Sequence, residues 1–191
     1  MINIISLSNK KKELLLGTIF LTVNVVFYIF SADNATFIEG ADAGQYYGPA
    51  ISLLQDGGLK VGPGVEFSTM GTPLYSILLA IPIGIFGIEN SSLAIVFIQC
   101  FLLYLTGIIT RKFSIVFLKK ESFLLHSLII FNPNSLITAH LVQTETLFTL
   151  FLVLSVYYLF KLIDKNNFKY VFLLSVSLGL LTLTRPAGLY L

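Results

Sequence analysis

The sequence predicts an all-α protein: a polytopic bundle of about five transmembrane helices, with an external loop that carries short interfacial helices. Three observations predict this class. Hydrophobic residues make up 55% of the 191 residues and charged residues only 12%, with a mean hydropathy of +0.86, which exceeds what a soluble core needs. Several apolar stretches approach the ~20 residues of a membrane-crossing helix. Basic residues stand in short clusters beside these stretches, which indicates a role in topology rather than nucleic-acid binding.

Five stretches are long and apolar enough to cross a bilayer. The first follows a lysine cluster, so a cleaved signal peptide is an alternative for it; its long apolar run and the four later spans favour a retained helix. In the third span, Asn132 and Asn134 flank Pro133 and are expected to satisfy backbone groups that the proline frees. The single cysteine, Cys100, lies within the second span and permits no intrachain disulfide. The five spans are 14–32, 91–110, 122–139, 146–163 and 168–191.

A sixth apolar stretch, 73–88, is short for a span and rich in proline and glycine. Basic residues decide its placement, because Lys and Arg in short loops stay on the cytoplasmic side. If the stretch does not cross, ten of the twelve basic residues are cytoplasmic; if it crosses, seven of those ten move outside. We therefore predict a cytoplasmic N-terminus, an external loop over 33–90, and an interfacial helix over 73–88 with Tyr75 at interface depth.

The external loop, about 58 residues long, exceeds what a helical hairpin requires. It divides into an acidic segment over 33–44, a short helix over 45–55, a glycine-rich turn "DGGLKVGPGVE", and the interfacial helix. Tyr46, Ala50, Leu53 and Leu54 fall near one face of the short helix, as in a helix that rests on a membrane. Because acidic residues gather in this loop rather than at mid-membrane, chemistry at the outer surface is favoured over a transporter; a non-catalytic scaffold is the third alternative.

Four segments, in their order and spacing, resemble the membrane-embedded GT-C glycosyltransferases. They are "DAGQY" with "AISLLQDGGL", "TPLYSILLAIPIGIFG", "NPNSLITAHLVQTETLFTLFLVLSVYYLF" and "LGLLTLTRPAGLYL". The sequence is most similar to the polyprenyl- or dolichyl-phosphate-sugar dependent group, such as protein mannosyltransferases and aminoarabinose transferases. It departs from their pattern at Ser76, where a second proline is usual, and at Asp42, which is followed by Ala43 rather than a second acid.

The resemblance implies sugar transfer, with inversion, from a polyprenyl-phosphate donor to a glycan, lipid or protein acceptor at the extracytoplasmic membrane face. Besides donor and acceptor, only membrane lipids are expected partners, and no cofactor is expected. Such enzymes have more spans than five, so residues 1–191 are expected to be the N-terminal part of a GT-C transmembrane domain, inactive by itself. Asp42 is the implied base, since apolar surroundings raise the pKa of a carboxylate towards useful values. Its own chemistry better suits an N-cap ahead of the 45–55 helix.

Substrate-binding residues are expected at the same outer face. Arg185, near the outer end of the fifth span, suits a bidentate contact with the donor phosphate, or snorkelling to the headgroups. Glu145, between the third and fourth spans, suits acceptor orientation, or simply the first turn of the next helix. Tyr46, in "DAGQY", and His140, five residues before Glu145, complete the expected set. His140, Glu145 and Glu66 have no diagnostic ligand spacing, so no metal site is predicted.

Overall fold

The computed structural model describes residues 8–32, 43–60 and 73–190, and these residues form eight α-helices and one 3-10 helix. The predicted all-α class is therefore confirmed. In chain order the elements are α1 (Asn9–Ala32), α2 (Ala43–Asp56), α3 (Pro73–Phe86), α4 (Ser92–Phe117), α5 (Phe123–Ile130), α6 (Pro133–His140), α7 (Glu145–Lys165), α8 (Phe168–Thr184) and the 3-10 helix Pro186–Tyr190. Among the described residues, three helices, α1, α4 and α7, are individually long and apolar enough to cross a membrane.

Helices α1 and α4 run antiparallel, and polar contacts at two levels fix their direction. Arg111, towards the end of α4, lies 3.1 Å from Glu13 near the start of α1. Further along both helices, the Cys100 thiol donates to Asn24 Oδ1 over 3.2 Å. Had the intervening segment 73–88 crossed the membrane, α1 and α4 would run parallel. The observed direction is the one that the predicted topology requires, and the side of the membrane that each end faces stays a prediction.

Ten of the twelve basic residues gather at one end of the bundle, which we call the basic end. It contains the start of α1, the turn between α4 and α5, and the turn between α7 and α8. Asn9 Nδ2 donates to Glu121 Oε2 over 2.6 Å, and Lys119 lies 3.7 Å from Asp164, so these segments are in direct contact. Its Lys and Arg residues are Lys10, Lys11, Lys12, Arg111, Lys112, Lys119, Lys120, Lys161, Lys165 and Lys169.

Helix α4 is central, and α5 approaches it closely at Gly107. A Cβ atom placed on Gly107 would lie 2.6 Å from Ile130 Cγ2 and would also overlap the His126 ring. Only glycine therefore allows this spacing of the two helices. Helix α1 packs on the same region through Phe20, in a cluster with buried side chains of α4, α5 and α6: Val96, Cys100, Leu103, Ile130 and Ala139.

The third predicted span, 122–139, is broken into α5 and α6 rather than continuous. The break has a local cause, because Pro133 lacks a backbone N–H and its ring blocks the preceding helical turn. Pro133 instead becomes the first residue of α6, where no donor is needed. The predicted role of Asn132 is confirmed: its side chain caps α6 by accepting from the Ser135 N–H over 3.2 Å.

The two short helices of the external loop pack against each other and against the bundle. Their buried side chains form one core cluster together with Val142 and Leu147 of the bundle. The residues that α2 and α3 contribute include Ala43, Ala50, Tyr75, Leu79 and Ile83. Of the residues predicted to share the membrane-facing side of α2, Ala50 is instead fully buried in this cluster, whereas Leu54 is exposed. The Tyr75 side chain is only 1% exposed, because α3 packs it onto α4. Its predicted depth at the membrane interface stays a prediction.

Helix α8 ends at Thr184, earlier than the predicted boundary at 191. The residue before a proline disfavours the helical conformation, and Arg185 accordingly has extended backbone angles (φ −157°, ψ 136°) ahead of Pro186. The 3-10 helix then folds back over α8. Gly188 permits this, because a Cβ atom there would lie 2.9 Å from the backbone nitrogen of Thr182.

Candidate functional site

An ion pair between Glu145 and Arg185 forms the centre of the candidate site, at the end of the bundle opposite the basic end. Arg185 Nη1 donates to Glu145 Oε1 over 2.9 Å. The two residues are 40 positions apart in the sequence and come together because α7 and α8 pack as an antiparallel hairpin. Both side chains are partly open to solvent, with 48% of Arg185 and 37% of Glu145 exposed. A guanidinium carries five donors, so this single hydrogen bond leaves it capable of binding an anion.

Local structure determines where each member of the pair lies. Glu145 is the first residue of α7, where a carboxylate is stabilised by the positive end of the helix dipole. Glu145 therefore lies in the first turn of the helix, as the alternative interpretation predicted, and also forms the ion pair. Arg185 is the C-cap residue of α8, and two backbone hydrogen bonds hold it in place. Its own N–H donates to Leu181 O in the last turn of α8 (3.1 Å), and its carbonyl accepts from the Gly188 N–H (3.0 Å).

A buried hydrogen-bond network lies beside the pair and connects three parts of the fold. The Tyr75 hydroxyl, on α3, donates to Gln99 Oε1 on α4 over 2.8 Å. Gln99 Nε2 in turn donates to Ala139 O (3.2 Å) and Leu141 O (2.9 Å), at the end of α6. Burial, and next the neighbouring Tyr47, raise the pKa of Tyr75 well above its ordinary value, so its hydroxyl is a neutral donor.

Tyr46 lies close to this network. Its ring packs edge-on against Tyr75 with 5.1 Å between ring centroids, and it borders the cluster that contains Val142 and Leu147 on either side of Glu145. Ala43, the first residue of α2, is buried in the same cluster. The start of α2 therefore belongs to the same core cluster as Val142 and Leu147, and Tyr46 is the described loop residue that borders it.

His140 lies apart from the exposed pair. Its side chain is fully buried at the end of α6, where the ring nitrogens lie 2.9 Å from Leu136 O and 3.4 Å from Asn24 O. The Phe27 ring packs on it at 4.6 Å between centroids. These contacts join α6 to α1, and they give the ring a structural role; a substrate contact by His140 stays an untested prediction.

Asp42, the predicted base, and Glu66 lie outside the described residues. Within residues 8–32, 43–60 and 73–190, no group of three or more His, Cys, Asp or Glu side chains is close enough to hold a metal ion. The described part of the site is therefore an ion pair with a tyrosine and amide network behind it.

Two residues with specific polar contacts in the structure, Gln99 and Arg111, were not predicted to make such contacts. Gln99 is a lone amide in an apolar span, and a polar side chain at such a position signals a hydrogen-bonding role. Arg111 was counted only as a cytoplasmic charge, yet its side chain is buried and ion-paired with Glu13 and Glu121. For Arg111, the only available signal was its place inside a continuous helical run instead of a loop.

The all-helical bundle fits the resemblance to membrane-embedded glycosyltransferases, and Glu145, Arg185 and Tyr46 are among the residues that this resemblance assigned to the site. Residues 70–191 match the family model described as dolichyl-phosphate-mannose-protein mannosyltransferase, and the chain belongs to this family. The matched segment contains Tyr75, Gln99, Glu145 and Arg185, whereas Tyr46 precedes it. No curated protein and no solved structure matches the chain.

Proposed function

We propose that this chain serves in the transfer of a sugar from a polyprenyl-phosphate carrier to an acceptor at the extracytoplasmic membrane face. The family description names a dolichyl-phosphate-mannose donor and a protein acceptor, and we propose this donor class and a protein hydroxyl for the present chain. The observation that carries the proposal is the half-exposed Arg185–Glu145 pair at the end of the bundle opposite the basic residues.

In the proposed reaction, the acceptor oxygen attacks the anomeric carbon from the face opposite the phosphate. The bond between this carbon and the phosphate oxygen breaks, and its electron pair leaves with the polyprenyl phosphate, which inverts the configuration. Asp42 takes the acceptor proton as general base. The support for this base is the resemblance of "DAGQY" to the segment in which such enzymes carry an acidic residue after the first span.

Arg185 binds the donor phosphate in this proposal and stabilises the negative charge that develops on it as the bond breaks. Its pairing with Glu145 holds the guanidinium in place before the donor arrives, so less side-chain freedom is lost on binding. Glu145 uses its remaining acceptor capacity to orient the incoming hydroxyl, and Tyr46 contributes to the sugar contact beside it.

An apolar groove suited to the lipid tail lies towards the same end of the bundle. It measures about 580 Å³ between α3 and the start of α4, with a lining that includes Ile81, Ile85, Phe86, Leu93 and Phe97. A larger groove of about 660 Å³ lies between α1 and α4, but it reaches to Lys10 and Glu13 at the basic end, away from Arg185. We therefore assign the donor lipid to the groove beside α3.

The test uses the complete enzyme with a lipid-linked sugar donor. Arg185→Ala is expected to lower transfer by about 10²- to 10³-fold, as for loss of a charge-stabilising donor, with partial recovery in Arg185→Lys. Asp42→Asn is expected to abolish base catalysis while leaving membrane insertion normal. Lys169→Ala, a cation at the basic end, is the matched control and should retain activity. Full transfer by the inserted Arg185→Ala protein would refute the phosphate assignment, and full transfer by Asp42→Asn the base assignment.

A further inference from the structure

We propose that Gln99 is a positioning residue of the candidate site. Its amide holds the turn between α6 and α7 and thereby sets where Glu145, and with it Arg185, presents its charge. This inference rests on the proposed function of the Glu145–Arg185 pair.

The first argument is the completeness of the amide's hydrogen bonding. Gln99 is 1% exposed, and its side chain uses both kinds of hydrogen-bonding atom. Nε2 donates to Ala139 O and Leu141 O over 3.2 and 2.9 Å, and Oε1 accepts from the Tyr75 hydroxyl over 2.8 Å. The two carbonyls lie at the end of α6, where the last carbonyls of a helix have no partner within the helix. No other side-chain type presents two donors and one acceptor in this planar arrangement at this length.

The second argument is the location of the turn that this amide holds. Leu141 has extended backbone angles (φ −101°, ψ 147°), so the chain leaves α6 at the residue that Gln99 binds. Val142 and Thr144, which follow, are 0% and 1% exposed. Glu145 is the next residue and begins α7. A shift of the Leu141 carbonyl would therefore be transmitted through a short, closely packed segment to the carboxylate of Glu145.

The third argument is the connection to the external loop. Tyr75 joins the network from α3, and its ring also packs on Tyr46 of α2. The network thus ties the loop helices, the central helix and the α6–α7 turn to one amide. A residue that only stabilised α4 would need no side-chain contact with α3 or with the end of α6.

The experiment measures transfer by the complete enzyme. Gln99→Met keeps the side-chain volume but removes all three hydrogen bonds, and kcat is expected to fall on the order of a hundredfold, the cost of displacing a catalytic group by about an ångström. In a Glu145→Ala background the same substitution is expected to cause little further loss, because its effect passes through Glu145. Thr106→Val is the matched control: Thr106 is also buried on α4 but bonds only to Leu102 O of its own helix. Its effect should be equal in both backgrounds.

Equal fold-losses from Gln99→Met in the two backgrounds would overturn the proposal. If Gln99→Met does not insert, Tyr75→Phe decides, since it removes the hydroxyl bond to Gln99 and the hydroxyl's backbone hydrogen bond at Gln143 in the same turn. It should lower kcat less, and only when Glu145 is present; a loss in both backgrounds or in neither would overturn the role of Gln99. Wild-type transfer by both Glu145→Ala and Arg185→Ala would instead refute the proposed function itself.

Discussion

Two arginines at opposite ends of the bundle bind carboxylates in different ways. At the basic end, Arg111 has 8% of its side chain exposed and contacts Glu13 at 3.1 Å and Glu121 at 3.6 Å. Its guanidinium also lies over the Phe123 ring at 4.6 Å from the centroid. At the other end, Arg185 has 48% exposed and, among the described residues, one carboxylate partner, Glu145.

This difference separates a structural clamp from a binding group. Arg111 is surrounded by two acids and a ring, and it joins α1, α4 and the start of α5, so few of its donors can reach a ligand. Arg185 keeps most of its donors and much of its surface available. An exposed ion pair contributes about 0–1 kcal/mol to stability, so the pair at Arg185 is poorly explained by stability alone. The contrast supports the proposal that one end of the bundle serves packing and the other substrate recognition.

The orientation of the two ends in the membrane gives the largest expected effect, because it is all-or-none. Cysteines are introduced at the exposed positions Glu89, beyond α3, and Lys120, at the basic end. A membrane-impermeant maleimide applied to intact cells is expected to label Glu89→Cys, and to label Lys120→Cys only after permeabilisation, because basic loops stay cytoplasmic. The native Cys100 is buried and serves as the unreactive internal control. Labelling of Lys120→Cys from outside would invert the proposed orientation.

Loss of the buried arginine is expected to cost the most stability. Arg111→Ala removes a buried side chain and leaves the carboxylates of Glu13 and Glu121 without their cation. Because these carboxylates are 39% and 31% exposed, the expected cost is about 2–4 kcal/mol, less than for a fully buried pair. Arg185→Ala should change stability by less than about 1 kcal/mol. The free energy of unfolding in mixed detergent micelles measures both, with the exposed neighbour Lys112→Ala as the control. Equal losses from the two arginines would remove the distinction between clamp and binding group.

Much of this fold could be predicted from composition and charge, because these act at the scale of whole helices. Apolar length located the long helices α1, α4 and α7, and the distribution of basic residues placed Glu145 and Arg185 at the same end. Their direct contact required the packing of α7 on α8, which one sequence does not encode locally. The burial of Tyr75 and His140 could not be predicted either. In helices that are apolar on all sides, the sequence has no hydrophobic periodicity that would indicate which face points inwards. The hydrogen-bonding role of Gln99 depends on carbonyl groups about 40 residues further along the chain, so its neighbours in the sequence do not predict it.

The smallest expected effect concerns the glycine behind Arg185. In Gly188→Ala, the new methyl group would lie 2.9–3.0 Å from backbone atoms of Leu181 and Thr182, which cannot rotate away. The 3-10 helix must therefore move off α8, at a cost of about 1–3 kcal/mol, and Arg185 shifts with it because Gly188 N–H bonds to Arg185 O.

Gly179→Ala is the matched control on α8, since nothing lies within 4 Å of its Cβ position; it should be neutral or stabilising by up to ~1 kcal/mol. The free energy of unfolding in mixed micelles measures the loss of stability. The KM for the donor in the complete enzyme measures the shift of Arg185. If Gly188→Ala leaves both unchanged, the close packing of the 3-10 helix is not what holds Arg185 beside Glu145.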